Sequence, residues 1–126
     1  MRLNQVTVGS MNLDVSEEYY GKLGLVLIVK NESYLRFECP HGDSTFSVEL
    51  VDDVPEAEQV TLYFESDDVD HDYERLRRIG VPFEHPPRDM SWLWREARMR
   101  DPSGHRLCLF SAGENRRHPP WRLPPP

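Results

Sequence analysis

The chain has 126 residues and a formal net charge of −7 at pH 7, from 15 basic and 22 acidic side chains. This length suits one domain with a buried core, and the charge disfavours nucleic acids and anionic membranes as partners. Two cysteines without a Cys-x-x-Cys spacing, no secretory segment and no apolar run of ~20 residues predict a soluble, reduced, cytoplasmic protein.

The same order of elements occurs twice, at an offset of 56 residues. Val6 to Leu25 reads as an apolar strand, an acidic turn and a helix that ends at glycine, and Leu62 to Val81 repeats this order. With the two stretches aligned, Gly24 falls on Gly80. Because an internal repeat constrains the fold more than any single residue, the pattern predicts two copies of one unit.

The first copy is predicted to be a strand, a helix and three further strands. Asp14 followed by Glu17 is typical of a helix cap, and Gly24 suits a left-handed helix end. Alternating apolar residues between turn residues predict the strands. The predicted elements are a strand at Leu3–Val8, a helix at Val15–Leu23, strands at Leu25–Lys30, Tyr34–Cys39 and Thr45–Val51, and a linker at Asp52–Glu58. Val15, Tyr19 and Leu23 are predicted to form the apolar stripe of this helix.

The second copy repeats this pattern and ends in a hairpin that turns on Asp101-Pro102-Ser103-Gly104. The predicted elements are a strand at Val60–Ser66, a helix that opens at Asp67–Asp70, a short strand at Pro82–Phe83, a loop at Glu84–Asp89, and strands at Trp92–Arg100 and His105–Phe110. In the hairpin, alternation places one set of side chains on an apolar face, namely Ala97, Met99, Leu107 and Leu109. The other set points the opposite way and comprises Trp94, Glu96, Arg98, Arg106, Cys108 and Phe110.

The residues after Gly113 form a proline-rich tail that cannot continue a sheet. Within it, Trp121 is predicted either to anchor on the body or on a second subunit, or to lie in a frayed terminus.

The repeated unit, the Leu23-Gly24 helix end, the acidic Asp67–Asp70 run and the DPSGHRLCLF hairpin together resemble the vicinal oxygen chelate superfamily. That group includes glyoxalase I, bleomycin-resistance proteins and extradiol dioxygenases. The resemblance implies an α+β fold of two βαβββ units, whose curled mixed sheets enclose a cavity, often in a homodimer. It implies one glyoxalase-like domain at 1–112, with unit one at 1–52 and unit two at 58–112, and a tail at 113–126.

Metal-dependent members of this family place one ligand on the first strand and one glutamate on the last strand of each unit. Carried over, the positions are Gln5, Glu49, Thr61 and Cys108. Gln5 and Glu49 could hold a divalent metal such as nickel, zinc, iron or manganese, whereas the Thr61 hydroxyl is a poor ligand and Cys108 departs from the pattern. The sequence therefore favours a protein without a cofactor, and Cys108 as a small buried side chain.

The predicted site is an aromatic-lined pocket for a small organic molecule, as in bleomycin-resistance proteins. Its predicted binding residues are Arg36, Tyr63, Trp92, Trp94, Arg98 and Cys108. The tryptophans could instead pack at a dimer seam. One alternative is a metal-dependent lyase or isomerase similar to glyoxalase I that uses Gln5 and Glu49. Another is metal-free catalysis with Glu49 as the base and a substrate carboxylate held by Arg98 or Arg36. Instead of binding a metal, Glu49 could also form an ion pair with Arg36 or Arg98.

Overall fold

The computed structural model describes residues 2–54 and 60–125. The chain divides into two compact units, Met1–Gln59 with Asp101–His105, and Val60–Arg100 with Arg106–Pro126. The turn of the last hairpin therefore belongs to the first unit. Most of the predicted linker, residues 55–58, lies outside the described residues.

The first unit contains one helix and one mixed four-stranded sheet. The strand order is β1-β4-β3-β2, and β1 is parallel to β4 while the other neighbours are antiparallel. Tyr20 lies on the buried side of the helix, with its ring centroid 4.5 Å from that of Phe46 and 6.0 Å from that of Phe37. The elements are β1 (Gln5–Ser10), α1 (Leu13–Lys22), β2 (Val26–Asn31), β3 (Tyr34–Glu38) and β4 (Thr45–Leu50).

Helix α1 differs from the prediction in its cap and in its buried face. Asn12, rather than Asp14, is the N-cap and accepts a hydrogen bond from the backbone N–H of Val15 at 3.3 Å. Val15 is exposed, whereas Ser16 and Tyr20 are buried together with Tyr19. The predicted stripe correctly included Tyr19 but missed Ser16 and Tyr20, whose polar side chains can be buried because their hydroxyls have partners. Ser16 donates to Ser10 at 2.7 Å, and Tyr20 donates to Asp101 at 2.6 Å.

The second unit repeats the arrangement, with strand order β5-β8-β7-β6. Asp68 caps the helix and accepts from the backbone N–H of His71 at 3.0 Å. The predicted apolar face of the hairpin is confirmed, because Ala97, Met99 and Leu107 are almost fully buried, as is Leu109. The elements are β5 (Thr61–Glu65), α2 (Val69–Arg78), β6 (Arg88–Asp89), β7 (Arg95–Arg100), β8 (Arg106–Ser111) and a 3₁₀ turn (Gly113–Asn115).

The short strand of the second unit lies later in the chain than predicted. Pro82–Phe83 forms no strand, whereas Arg88–Asp89, predicted as loop, pairs with Glu96 and Arg95 of β7. Pro82, Pro86 and Pro87 have no backbone N–H to donate, so ladder pairing begins only after the last of them.

These elements confirm the predicted α+β architecture of two βαβββ units. Across the part of the chain that the structure describes, no helix has the length and apolar character needed to cross a membrane. Trp121 is 58% exposed, so it is not buried against the body of the chain. Contact with a second subunit stays a prediction.

Candidate functional site

An aromatic cluster occupies one face of the second sheet. Tyr63 on β5, Trp94 just before β7 and Phe110 on β8 form it, and we call these three residues the aromatic face. Trp94 stacks on Phe110 with centroids 4.8 Å apart, and Tyr63 meets both rings edge-on at 5.8 and 5.6 Å. Edge-on and stacked contacts of this kind hold rings in fixed orientations. Because Tyr63 is still 47% exposed, the face presents a rigid aromatic ring to solvent.

A buried carboxylate lies on β7, in the same sheet as these rings. Glu96 of β7 is fully buried, and both of its oxygens have partners. The indole N–H of Trp92 donates to Oε2 at 2.7 Å, and the guanidinium of Arg98 donates to Oε1 at 3.0 Å. A buried charge is tolerated only when it is paired and hydrogen-bonded. Glu96 therefore fixes the positions of Trp92 and Arg98.

Arg98 connects this carboxylate to the aromatic face. Its Nη2 lies 3.5 Å from the Tyr63 hydroxyl, and its guanidinium carbon lies 5.9 Å from the centroid of the Tyr63 ring. The side chain stays 28% exposed, so N–H donors of Arg98 border the exposed ring.

Cys108 lies beneath this group on β8, opposite Arg98 on β7 and beside Tyr63 on β5. It is fully buried with Phe110 and Ala112. Burial, followed by the charge of Glu96, raises the pKa of the Cys108 thiol to about 12. The thiol is therefore protonated near neutral pH and is a poor nucleophile.

The turn that carries Trp92 is strained at Leu93. The backbone N–H of Leu93 donates to the carbonyl of Met90 at 3.0 Å, and Leu93 has φ of 68°. Positive φ is unusual for a residue with a branched side chain. Such strain persists where the surrounding structure fixes it, and here the bond from Trp92 to Glu96 does so.

The first unit carries a smaller polar group around Tyr34. Its hydroxyl lies 2.5 Å from the Ser47 hydroxyl and accepts from Arg36 Nε at 2.9 Å. These contacts, with the bond to Ser47 as the larger cause, lower the pKa of Tyr34. Arg36 thus lies in the first unit, and Tyr63, Trp92, Trp94, Arg98 and Cys108 lie in the second.

The two proposed metal ligands of the first unit do not converge. Gln5 pairs with Thr45, and Glu49 pairs with Gly9. Four residue steps therefore separate them, or roughly 13 Å along the strands. The side-chain amide oxygen of Gln5 also accepts a hydrogen bond from the Thr45 hydroxyl at 2.7 Å. A metal with ligand bonds of about 2 Å needs donors that meet at one point, so this pair does not fit a shared ion.

The other carried-over positions add no acidic or imidazole ligand in the second unit. Thr61 pairs with Arg106, and Cys108 pairs with Tyr63 and keeps its proton. Within residues 2–54 and 60–125, no three His, Cys, Asp or Glu side chains are placed to hold a metal ion.

Glu49 lies on β4, and its side chain is exposed to solvent. Within the described residues of the first unit, no ion pair joins Glu49 to Arg36. Arg36 bonds to Tyr34, and Arg98 bonds to Glu96. The first unit therefore gives no support to the predicted ion pair with Arg36, and the alternative pair with Arg98 stays a prediction.

Sequence reasoning missed two residues of the second-unit site. Alternation correctly placed Phe110 on the same face as Cys108, which lies two residues earlier. No feature of the sequence indicated that Phe110 stacks on Trp94. No feature of the sequence indicated the positive φ of Leu93 either, because turns of this kind usually use glycine or asparagine.

The comparisons with known proteins agree with this fold. The chain belongs to the Glyoxalase/Bleomycin resistance protein/Dioxygenase superfamily, whose family model matches residues 2–109. No curated protein matches the sequence. The solved structures named next are all less than 25% identical to this chain, so their similarity shows the fold.

A glyoxalase/bleomycin resistance protein/dioxygenase from Nocardioides superposes with a TM-score of 0.77 at 23% identity, covering 89% of this chain and 83% of its own. The lactoylglutathione lyase from Agrobacterium tumefaciens gives a TM-score of 0.72 at 20% identity, with coverages of 87% and 92%. A bleomycin-binding protein complexed with bleomycin gives 0.72 at 18% identity, with coverages of 88% and 98%.

Proposed function

We propose that the protein binds a small organic molecule on the second unit, against Tyr63 and its neighbours Trp94 and Arg98. Trp92, which shares the Glu96 carboxylate with Arg98, completes the proposed binding residues. The observation that carries this proposal is the exposed Tyr63 ring. The buried Phe110 ring and the half-buried Trp94 ring hold it edge-on, and guanidinium donors border it. A rigid aromatic surface binds flat apolar groups at little cost in conformational entropy. Arg98 supplies the polar contact that orients the ligand.

The similarity to a bleomycin-binding protein supports binding rather than a particular ligand. This similarity suggests bleomycin as a first probe. Bleomycin is therefore screened against this chain together with a panel of planar organic molecules.

We also propose that binding requires no catalytic metal. The support is the donor set, since Gln5 and Glu49 lie four residue steps apart in the ladder and the Cys108 thiol keeps its proton. Elemental analysis of protein purified without chelators tests this. A stoichiometric content of nickel, zinc, iron or manganese would overturn it and would favour a lyase or isomerase.

Binding is tested by titrating the protein with the panel and following tryptophan fluorescence, because Trp92 and Trp94 border the surface. We expect Tyr63→Ala to weaken binding about tenfold, since a buried aromatic contact contributes on the order of 1 kcal/mol beyond its area. Tyr73→Phe on α2 is the control and should leave affinity within about twofold. If no planar molecule binds the wild-type protein, the proposed function is wrong.

We propose in addition that the protein is a homodimer. Three aliphatic side chains, Val26, Ile28 and Val29, are exposed on β2, which is an edge strand of the first sheet. Exposed apolar edge strands are normally covered.

A further inference from the structure

The first unit carries an arginine at the position that Arg98 has in the second unit. The two sheets have the same strand order, so β3 and β4 correspond to β7 and β8. Arg36 of β3 pairs with Ser47 of β4, and Arg98 of β7 pairs with Cys108 of β8. Both arginines are half-buried, and a charge that is partly removed from water needs acceptors close to it.

The acceptor beside each arginine differs between the two units. Arg98 Nε donates to the Glu96 carboxylate at 3.0 Å, so a negative charge neutralises this arginine. Arg36 Nε donates to the Tyr34 hydroxyl at 2.9 Å, and its guanidinium carbon lies 5.3 Å from the centroid of the Tyr34 ring. A guanidinium has five N–H donors, and within the described residues only the Nε–H of Arg36 has an acceptor. In this part of the chain, no carboxylate therefore neutralises Arg36.

The Tyr34 hydroxyl offers a second donor beside this arginine. Its oxygen lies 2.5 Å from the hydroxyl oxygen of Ser47, which is fully buried. A buried hydroxyl must donate to an acceptor, and Tyr34 is the acceptor that the described residues provide for Ser47. Hydrogen bonds from Ser47 and then Arg36 stabilise the phenolate and lower the pKa of Tyr34. With its oxygen accepting both bonds, the proton of Tyr34 is left for a further acceptor.

We propose that Arg36 and Tyr34 bind the carboxylate of a small ligand, which takes beside Arg36 the place that the Glu96 side chain has beside Arg98. The planar fork of the guanidinium matches the two oxygens of a carboxylate. The Tyr34 hydroxyl donates to one of these oxygens. This site belongs to the first unit, so it does not depend on the function proposed for the second unit.

Two exposed glutamates on the same face of the first sheet restrict the charge of the ligand. Glu49 pairs with Tyr34 across the β3–β4 ladder, and Glu38 follows Arg36 by two residues. Their negative charges repel any anion, and they repel a phosphate more strongly than a carboxylate because a phosphate carries more charge. The face therefore favours a carboxylate.

The test compares acetate, its neutral analogue acetamide and inorganic phosphate, with chloride keeping the ionic strength constant. Binding is followed by NMR of isotope-labelled protein, through the side-chain Nε–H of Arg36 and the backbone N–H groups of residues 34, 36 and 47. We expect acetate to shift these resonances along a saturating curve. Acetamide should bind about tenfold more weakly, because hydrogen bonds to a charged acceptor are the strong ones. Phosphate should also bind more weakly than acetate.

Two variants test the two donors separately. Arg36→Gln should weaken acetate binding about tenfold, whereas Arg78→Gln on α2 makes the same change in net charge and should leave it within about twofold. Tyr34→Phe keeps the ring, removes the hydroxyl and should weaken acetate binding about fivefold. Tyr73→Phe on α2 is its matched control and should have no effect.

Tyr34→Phe also leaves the buried Ser47 hydroxyl without its acceptor. If this variant folds poorly, the comparison of acetate with acetamide still tests the site, because it uses wild-type protein.

Three results would overturn the proposal: no saturating shift with acetate, equal affinity for acetate and acetamide, or equal weakening by Arg36→Gln and Arg78→Gln. Tighter binding of phosphate than of acetate would overturn the carboxylate as the ligand class. None of these results affects the function proposed for the second unit, because that function is tested by planar molecules and Tyr63→Ala.

Discussion

At the scale of single residues, the clearest expectation concerns the two free cysteines. Cys108 is fully buried beside Glu96, whereas Cys39 is partly exposed. Near pH 8, iodoacetamide should label Cys39 slowly in the native protein, because partial burial raises its pKa as well. Cys108 should be labelled only after the chain is unfolded. Mass spectrometry of proteolytic peptides reads out both sites.

The same thiol should make stability depend on pH in alkaline solution. Its pKa rises from 9.0 in the unfolded chain to about 12 in the folded protein. The contribution is therefore complete below about pH 9 and is lost as the pH rises towards 12. The free energy of unfolding of wild type relative to Cys108→Ala should fall over that range. Labelling of native Cys108 at pH 8 at the rate of Cys39 would contradict both expectations.

At the scale of elements, the strained turn at Leu93 is expected to reverse the usual order of stability between glycine and alanine. At an ordinary position, glycine is less stable than alanine by about 0.5–1 kcal/mol. Leu93 has φ of 68°, where alanine is strained and glycine is not. We therefore expect Leu93→Gly to be more stable than Leu93→Ala, by about 0.5–1 kcal/mol in chemical denaturation.

Val15 in α1 provides the matched control, because it is exposed to a similar extent in regular helix. There Val15→Ala should be more stable than Val15→Gly by about 1 kcal/mol. If alanine were also the more stable residue at position 93, the turn would not be strained in solution.

The sequence predicted best the elements whose apolar residues repeat with a strict period. Alternation placed Ala97 and Leu107 on the buried face of the hairpin, because each strand buries a continuous apolar row there. The cap of α1 could not be decided in the same way, since Asn12 and Asp14 can both accept a backbone N–H. Strand β6 was missed because it has only two residues, Arg88 and Asp89. Its pairing depends on the neighbouring strand β7 rather than on a pattern in its own sequence.

At the scale of the whole molecule, the net charge of −7 does not describe every surface. Strand register pairs Arg100 with Arg106 across the β7–β8 ladder, so two basic residues lie directly opposite each other in an acidic chain. Periodicity could place both side chains on one face, and only the ladder shows that they are directly opposite. Register also explains why Gln5 and Glu49 do not converge, since it separates them along the strands.

The proposed homodimer also belongs to the scale of the whole molecule. A chain of 14.8 kDa should scatter light as a particle of about twice that mass at micromolar concentration. Ile28→Lys should reduce the mass to that of the monomer, because a buried interface disfavours an unpaired ammonium. Val15→Lys, at a residue that is 44% exposed compared with 46% for Ile28, is the control and should stay dimeric. A monomeric wild type would rule out the dimer, and a dimeric Ile28→Lys would place the interface away from β2.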